Sequence, residues 1–206
     1  MSSDERYEPR KLTDARTLRA LAHPVRIALY EELAYGGAMT ATELGKRIGE
    51  TATTCSFHLR QLAKYGFVEE AGGGKGRARP WRLTSLGWNI PAAQDPETQI
   101  AGDTVLRLSR ERAFARYQRW QGTKAGYPRE WREAADDSEY LSYVTAEELT
   151  QVNKELHAVL ERFRDRLADP AKRPPGVLPV ETLLLSYPIE PPPDDSGAEP
   201  HAGEDG

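Results

Sequence analysis

Hydroxyl, amide and cationic side chains recur at helical spacing between residues 52 and 65. In a helix over this range, Cys55, Leu59 and Leu62 share one face. The opposite face carries Thr53, Ser56, Phe57, Arg60, Gln61 and Lys64. Such groups donate hydrogen bonds to phosphates and to base edges in the major groove, Gln suiting adenine, Arg suiting guanine or phosphate, and an aromatic ring suiting the thymine methyl. The spacing therefore predicts a helix that contacts double-stranded DNA.

The preceding residues predict how this helix is held. Thr40 and Glu43 form a capping box that opens a helix ending at Gly49. A tight turn at 49–51 follows, and Gly66 caps the second helix. Two short helices joined by a three-residue turn make a helix-turn-helix. Three further residues are expected at the DNA: Thr51, Thr54 and His58. For His58 a structural role and a bond to phosphate are equally open.

A basic hairpin is predicted directly after the second helix. Residues 67–71 and 81–84 read as paired strands around a glycine-rich loop. The loop carries the cations Lys75, Arg77 and Arg79, which suit phosphates or a minor groove. The predicted fold class is mainly α with a small β-wing: a winged helix-turn-helix followed by C-terminal dimerisation or effector helices.

Two short helices are predicted before the helix-turn-helix. The first spans 14–22 with Thr13 as its N-cap, and the second starts at Pro24, since proline is tolerated in the first turn. We interpret His23, which precedes this proline, as a junction residue rather than a ligand.

The second half is predicted to be helical. One helix spans 100–121, and a capping box at Thr145 and Glu148 opens another. That helix repeats apolar residues at helical spacing: Leu149, Val152, Leu156, Val159, Leu160, Phe163 and Leu167. Such stripes are expected to turn inward against each other and against a second subunit, which predicts a homodimer. Residues 177–185 read as a short strand, placed at a sheet edge by Pro179.

Charge and composition divide the 206-residue chain. Residues 15–90 carry a net charge of +5 and residues 91–206 a net charge of −8, so the basic part is expected to face a polyanion. We expect a disordered N-terminal tail at 1–12, a DNA-binding domain at 13–90, a helical dimerisation or effector region at 91–190, and a disordered acidic, proline-rich tail at 191–206.

The chain shows no signal peptide and no apolar run near the ~20 residues that span a bilayer. Its single cysteine excludes an internal disulfide and a cysteine-based zinc cage. We therefore expect a cytoplasmic protein with no membrane partner and no cofactor. The loop at 72–76 lacks the Ser or Thr of a phosphate-binding loop, so an enzyme is not expected.

Several segments resemble the ArsR/SmtB family of winged-helix regulators. They are LRALAHPVRI at 18–27, TATEL at 40–44, TCSFHLRQL at 54–62 and YGFV at 65–68. The resemblance covers residues 14–88, and the remainder is similar to the helical extension of an actinobacterial branch. It implies a bacterial homodimer that binds an inverted-repeat operator and represses transcription until a signal arrives.

The sequence departs from the metal-sensing members of this family. Their Cys-x-Cys pair is replaced by residues 40–42, which read TAT, and helix 100–121 has no histidine. Thiolate and imidazole clusters are what zinc and related ions need, so no metal site is predicted. Cys55 occupies a core-side position, and we interpret it as a small buried apolar residue rather than a redox switch.

An aromatic stretch in the second half leaves two interpretations open. Its members either cover the ends of the dimer helices or line a pocket for a small-molecule or protein effector: Trp120, Tyr127, Trp131, Tyr140 and Tyr143. The function that these features favour is a homodimeric repressor that binds DNA and does not respond to metal. The alternatives are a protein-interaction module built on a winged helix, or a DNA binder gated by a partner protein.

Overall fold

The computed structural model describes residues 9–72 and 79–191, and the winged helix-turn-helix fold lies in its first half. The helices in these ranges are α1 (Ala15–Leu21), α2 (Pro24–Gly36), α3 (Ala41–Ile48), α4 (Ala52–Lys64), α5 (Pro96–Thr123), α6 (Arg129–Ala134), α7 (Ala146–Glu161) and α8 (Arg164–Ala168). The strands are β1 (Arg10–Lys11), β2 (Val68–Glu70), β3 (Trp81–Leu83) and β4 (Trp88–Asn89).

One apolar core joins the first five helices to the wing. Its most buried leucines are 0% exposed: Leu18, Leu21, Leu29, Leu44, Leu59 and Leu62. Val105 of α5 is also 0% exposed and belongs to the same core, where α5 packs against α1. This core therefore extends past the domain boundary that the sequence predicts at residue 90.

Local capping signals set the helix starts. The capping boxes at Thr40 and Thr145 are both formed, and Pro24 lies in the first turn of α2. The predicted N-cap of α1 was wrong by one residue: Asp14, not Thr13, accepts a hydrogen bond from the backbone N–H of Thr17 at 2.8 Å. Its carboxylate is the stronger acceptor, and these bonds lower the pKa of Asp14.

The wing is an antiparallel pair of β2 and β3, as the sequence predicts, and Val68 lies opposite Leu83 in its register. A second pair, β1 with β4, is parallel and joins Arg10 and Lys11 to the segment that follows the wing. The backbone N–H of Leu12 donates to Asn89 at 2.8 Å, and the Leu12 side chain is 1% exposed. The prediction of disorder for residues 1–12 is thus wrong for residues 10–12, because a pairing 78 residues distant in sequence orders them. Residues 1–8 lie outside the described residues.

The second half departs from two predictions. The apolar repeat at 149–167 is divided into α7 and α8 by a non-helical Phe163. The repeat is not packed within the single chain, since Val152 is 45% exposed, Leu156 40% and Phe163 50%, and its burial against a second subunit stays a prediction. We call the exposed set the α7 stripe: Val152, Leu156, Val159, Leu160 and Phe163. The stripe was predicted from periodicity alone, and periodicity does not specify what covers it.

Residues 177–185 form no strand in the structure. Pro179 lacks a backbone N–H, and a backbone ladder requires such donors. The segment instead lies against α2 and α5 through its side chains, where Glu181 and Leu183 contribute to a shared groove. The predicted acidic tail, from residue 192 onward, lies outside the described residues.

Candidate nucleic-acid interface

The turn between α3 and α4 fixes the angle between the two helices. Gly49 adopts φ +75°, a left-handed conformation that favours glycine. The backbone N–H of Glu50 donates to Gly45 at 3.0 Å, and a Cβ atom at Gly45 would lie 2.5 Å from the Glu50 carbonyl oxygen. Gly45 of α3 is thus in backbone contact with the turn that leads into α4.

The start of α4 is capped by a hydroxyl group. Thr51 Oγ1 accepts from the backbone N–H of Thr54 at 3.1 Å, and the two hydroxyls lie 2.9 Å apart. Both were predicted at the DNA, and the structure gives both a role in capping. The hydroxyl of Thr53, in contrast, lies on an exposed residue next to this cap.

The two faces of α4 are arranged as the spacing predicts. Cys55, Leu59 and Leu62 are 0% exposed and anchor the helix to the core. Burial raises the pKa of the Cys55 thiol, which keeps it protonated. The outer face presents exposed side chains at Thr53, Phe57, Arg60 and Lys64 and half-buried ones at Ser56 and Gln61.

Two outer residues are available for contacts. Arg60 Nε donates to the Ser56 carbonyl at 3.0 Å, which orients the guanidinium along the helix. Among the described residues, its terminal nitrogens meet no acceptor, so they are free to donate to phosphate or guanine. Phe57 is 54% exposed, an uncommon position for a large aromatic side chain.

His58 is the exception among the predicted DNA contacts. It is 8% exposed and its ring stacks on His23 with centroids 4.5 Å apart. Burial, then the neighbouring His23 and Arg26, lowers the pKa of His58. His58 thus lies on the inward side of α4, and this burial favours the structural one of its two predicted roles.

Two wing cations within the described residues are paired with carboxylates. Arg79 lies 2.7 Å from Glu70, and Arg82 lies 2.8 Å from Glu69. The bond from Glu70 raises the pKa of the Arg79 guanidinium. Sequence reasoning counted Arg79 as a free charge, although the adjacent strand carries the carboxylates. The other two predicted wing cations, Lys75 and Arg77, lie outside the described residues.

Arg10 supports α4 from the far side, and no sequence pattern indicated it. Its guanidinium donates to the carbonyl of Tyr65 at 2.7 Å and lies 4.7 Å from the centre of the Phe67 ring. A cation at the carboxyl end of a helix satisfies an unpaired carbonyl and complements the helix dipole. Arg10 therefore fixes the end of α4 opposite to the Thr51 cap.

The five aromatic residues proposed as a pocket do not gather in one cavity. Tyr140 is 86% exposed and Tyr143 99% exposed, so neither lines a pocket. Tyr127 is also on the surface, while Trp120 and Trp131 are half-buried. Trp120 lies beside Tyr117, and Lys124 lies 5.5 Å from the centre of its ring. The structure thus supports neither a shared pocket nor a closed aromatic cover.

Residues 9–72 and 79–191 show neither a metal-ion site nor a membrane-spanning helix. No group of three or more His, Cys, Asp or Glu side chains there is placed to hold a metal ion. None of the helices in these ranges combines the length and the apolar character that crossing a bilayer requires.

Comparison with known proteins agrees with the geometry of α3 and α4. Residues 21–71 match the family described as Helix-turn-helix domain. No curated protein matches the chain. Among solved structures, a mutant of Lactococcus lactis ZitR in its apo form is 16% identical, with 72% of this chain and 82% of that chain covered and a TM-score of 0.26. The chain therefore carries a helix-turn-helix domain, the module of DNA-binding transcriptional regulators.

Proposed function

We propose that this protein is a sequence-specific transcriptional regulator of the ArsR/SmtB type, acting as a homodimeric repressor that does not respond to metal. One observation carries the proposal. The outer face of α4 is polar and cationic, and α4 is clamped at both ends within a helix-turn-helix domain. A rigid helix with donors on its free side is what major-groove recognition needs.

Within this proposal the residues of α4 divide into two roles. Gln61 and Ser56 read base edges, since a side-chain amide bonds adenine bidentately. Lys64 and Thr53, which are exposed, contact phosphates and set the position of the helix. Arg60 serves guanine or phosphate through its free terminal nitrogens. The wing contributes Arg79 to the phosphates once its pair with Glu70 opens.

The homodimer is supported by the α7 stripe. Five large apolar side chains are each between 38% and 50% exposed, four of them at helical spacing on α7 and the fifth, Phe163, directly after its end. Contiguous apolar surface of this kind marks an interaction site, and a second copy offers the matching stripe. Two α4 helices related by a two-fold axis would enter adjacent major grooves about one helical turn apart, on an inverted repeat.

The proposal is tested by selecting genomic fragments with the purified full-length chain. The selected fragments are then titrated at about 50 mM and about 200 mM salt, where each phosphate contact changes affinity by roughly threefold to fourfold. We expect an enriched inverted repeat and a steep salt dependence. No enrichment, or an affinity that ignores salt, would refute DNA binding by this surface.

Matched variants separate the two roles on α4. Gln61→Ala should change which base is preferred at one position of each half-site, at a cost of about 1–3 kcal/mol. Arg60→Ala should weaken binding, with a shallower salt slope if it meets phosphate. Lys154→Ala, which removes an exposed cation from α7, serves as the control and should leave DNA affinity unchanged. Uniform weakening by Gln61→Ala would show that this residue touches only phosphates.

A second candidate is a protein-interaction module. It is favoured by the same α7 stripe, together with the net charge of −8 on residues 91–206. Here the stripe would bind an apolar helix of another protein, and the winged helix would no longer bind DNA. Sedimentation of the chain alone separates the two: a concentration-dependent dimer lost in Leu156→Asp supports the homodimer, and a monomer supports the module.

A further inference from the structure

The segment 177–185, here called the C-terminal strap, is held to the body by one carboxylate. Arg116 donates to Glu181 through Nε at 2.9 Å and Nη2 at 2.6 Å, a two-pronged bond. The hydroxyl of Tyr35 donates to the same carboxylate at 3.3 Å. Among the described residues, no backbone hydrogen bond joins the strap to the rest of the chain. The strap is thus attached by side chains alone, and such an attachment is open to competition.

Beyond the carboxylate the strap lies over an apolar groove between α2 and α5. A cavity of about 400 Å³ remains there, within the range of small-molecule sites. Its apolar wall comes from the body: Ala34, Leu86, Trp88, Leu106 and Ala113. The strap contributes Leu183, Leu184 and Leu185, each about two-fifths exposed. The three leucines of the strap therefore fill only part of the groove.

The polar end of the groove holds its two carboxylates on guanidinium groups. Glu31 is 9% exposed and accepts from Arg112 at 2.6 Å and from Arg116 at 2.7 Å. Arg110 also lines the groove. Without Glu181, three guanidinium groups would therefore share the single carboxylate of Glu31 beside an apolar cavity. Burial also raises the pKa of Tyr35 to about 12, which keeps its hydroxyl a neutral donor.

We propose that this groove binds a small-molecule monocarboxylate with an apolar tail, such as a medium-chain fatty acid, in competition with the strap. The ligand carboxylate takes the place of Glu181 on Arg116 and Tyr35, and its tail lies along Leu86, Trp88 and Leu106. The strap itself presents this chemistry, a carboxylate followed by an apolar run. The site does not depend on DNA binding, because none of these residues lies on the outer face of α4.

The site is joined to the helix-turn-helix through one helix. Glu31 and Tyr35 belong to α2, and α2 packs against both α3 and α4. Exchange of the strap for a ligand changes the contacts on one side of α2 while the other side carries the recognition unit. The groove is thus placed where an effector would act on a DNA-binding domain.

The test uses octanoate and octanol, titrated calorimetrically into the full-length protein. We expect octanoate to bind at least tenfold more tightly than octanol, since the carboxylate adds a charge-assisted bond. Glu181→Gln removes the competing charge and should tighten octanoate binding at least fivefold. Glu111→Gln breaks the exposed ion pair with Arg107 on α5, the helix that also carries Arg116. It is the matched control and should leave the affinity for octanoate unchanged.

Arg116→Lys keeps the positive charge but loses the two-pronged geometry, so it should weaken octanoate at least fivefold while the chain stays folded by circular dichroism. Equal binding of octanoate and octanol, or no gain in Glu181→Gln, would overturn the proposal. Absence of octanoate binding to Glu181→Gln would overturn it as well. DNA titrations of the same proteins without ligand show separately whether the proposed function holds.

Discussion

The hydroxyl of Tyr30 joins α2 to the turn between β3 and β4, and its removal is a sharp test of how the wing is held. The hydroxyl donates to the carbonyl of Ser85 at 3.1 Å and accepts from the backbone N–H of Gly87 at 3.0 Å. Tyr30 is 6% exposed, so water has little access to replace it. Tyr30→Phe removes only this oxygen and keeps the ring.

The expected loss of stability in Tyr30→Phe follows from these two hydrogen bonds. Each hydrogen bond contributes about 1 kcal/mol net, and a buried donor left unpaired costs about 1–3 kcal/mol. Because the variant leaves the Gly87 N–H without a partner, we expect it to lose about 2–3 kcal/mol of unfolding free energy. With a slope near 2 kcal/mol per molar urea, this lowers the urea midpoint by roughly 1 M.

Urea unfolding followed by circular dichroism measures this loss, with Tyr143→Phe as the control. Tyr143 is 99% exposed, so its hydroxyl should matter by less than about 0.5 kcal/mol. A loss below about 0.5 kcal/mol in Tyr30→Phe would refute the reasoning, since it would show that water satisfies the turn.

The pH dependence of the unfolding free energy gives a second measure of the Tyr30 hydroxyl. Burial raises the pKa of Tyr30 to about 12, so its stabilising effect is complete below pH 10 and is lost towards pH 12.

Other perturbations test the wing, the histidine pair and the core. Glu70→Gln releases Arg79 from its ion pair, so DNA binding should tighten and the salt slope steepen by up to about one unit per protomer; an unchanged slope would place Arg79 away from phosphate. The lowered pKa of His58 means that protonation opposes folding, so stability is complete above about pH 6.5 and falls as the pH drops through the folded-state pKa. Urea unfolding near pH 7.5 and pH 5.5 should show a smaller loss in His58→Gln than in the natural chain, and equal losses would point to another group. Leu59→Ala should cost about 2–5 kcal/mol, because it empties a core position under α4; a cost below 1 kcal/mol in the same assay would mean that the core collapses onto the site.

The parts of the site that depend on neighbouring residues were predictable from the sequence. The Thr40 capping box, the glycine at 49 and the i, i+4, i+7 spacing of Cys55, Leu59 and Leu62 each act within about two helical turns. Propensity, capping and periodicity operate over the same distance. These signals were sufficient to place α3, α4 and the outer face of α4.

The contacts that join distant segments were not predictable. Arg10 reaches the carbonyl of Tyr65 across 55 residues, and Arg116 reaches Glu181 across 65. No periodicity encodes such a pair, because either partner reads as one more surface charge. The wing cation Arg79 was misread for a related reason: counting charges does not show which of them neutralise each other.

The backbone contact at Gly45 has a consequence for how a signal reaches the DNA. A Cβ position at Gly45 of α3 lies 2.5 Å from the carbonyl oxygen of Glu50, so α3 has no room to move closer to the turn that leads into α4. We therefore expect α3, the turn and α4 to move together. A change on α2 would then tilt α3 and α4 together. In the proposed two-fold assembly this tilt would alter the spacing and the angle between the two α4 helices, while the outer face of each α4 stays intact. DNA would then be released because the distance between the two α4 helices no longer matches the distance between the two half-sites, although every base-reading side chain is still in place.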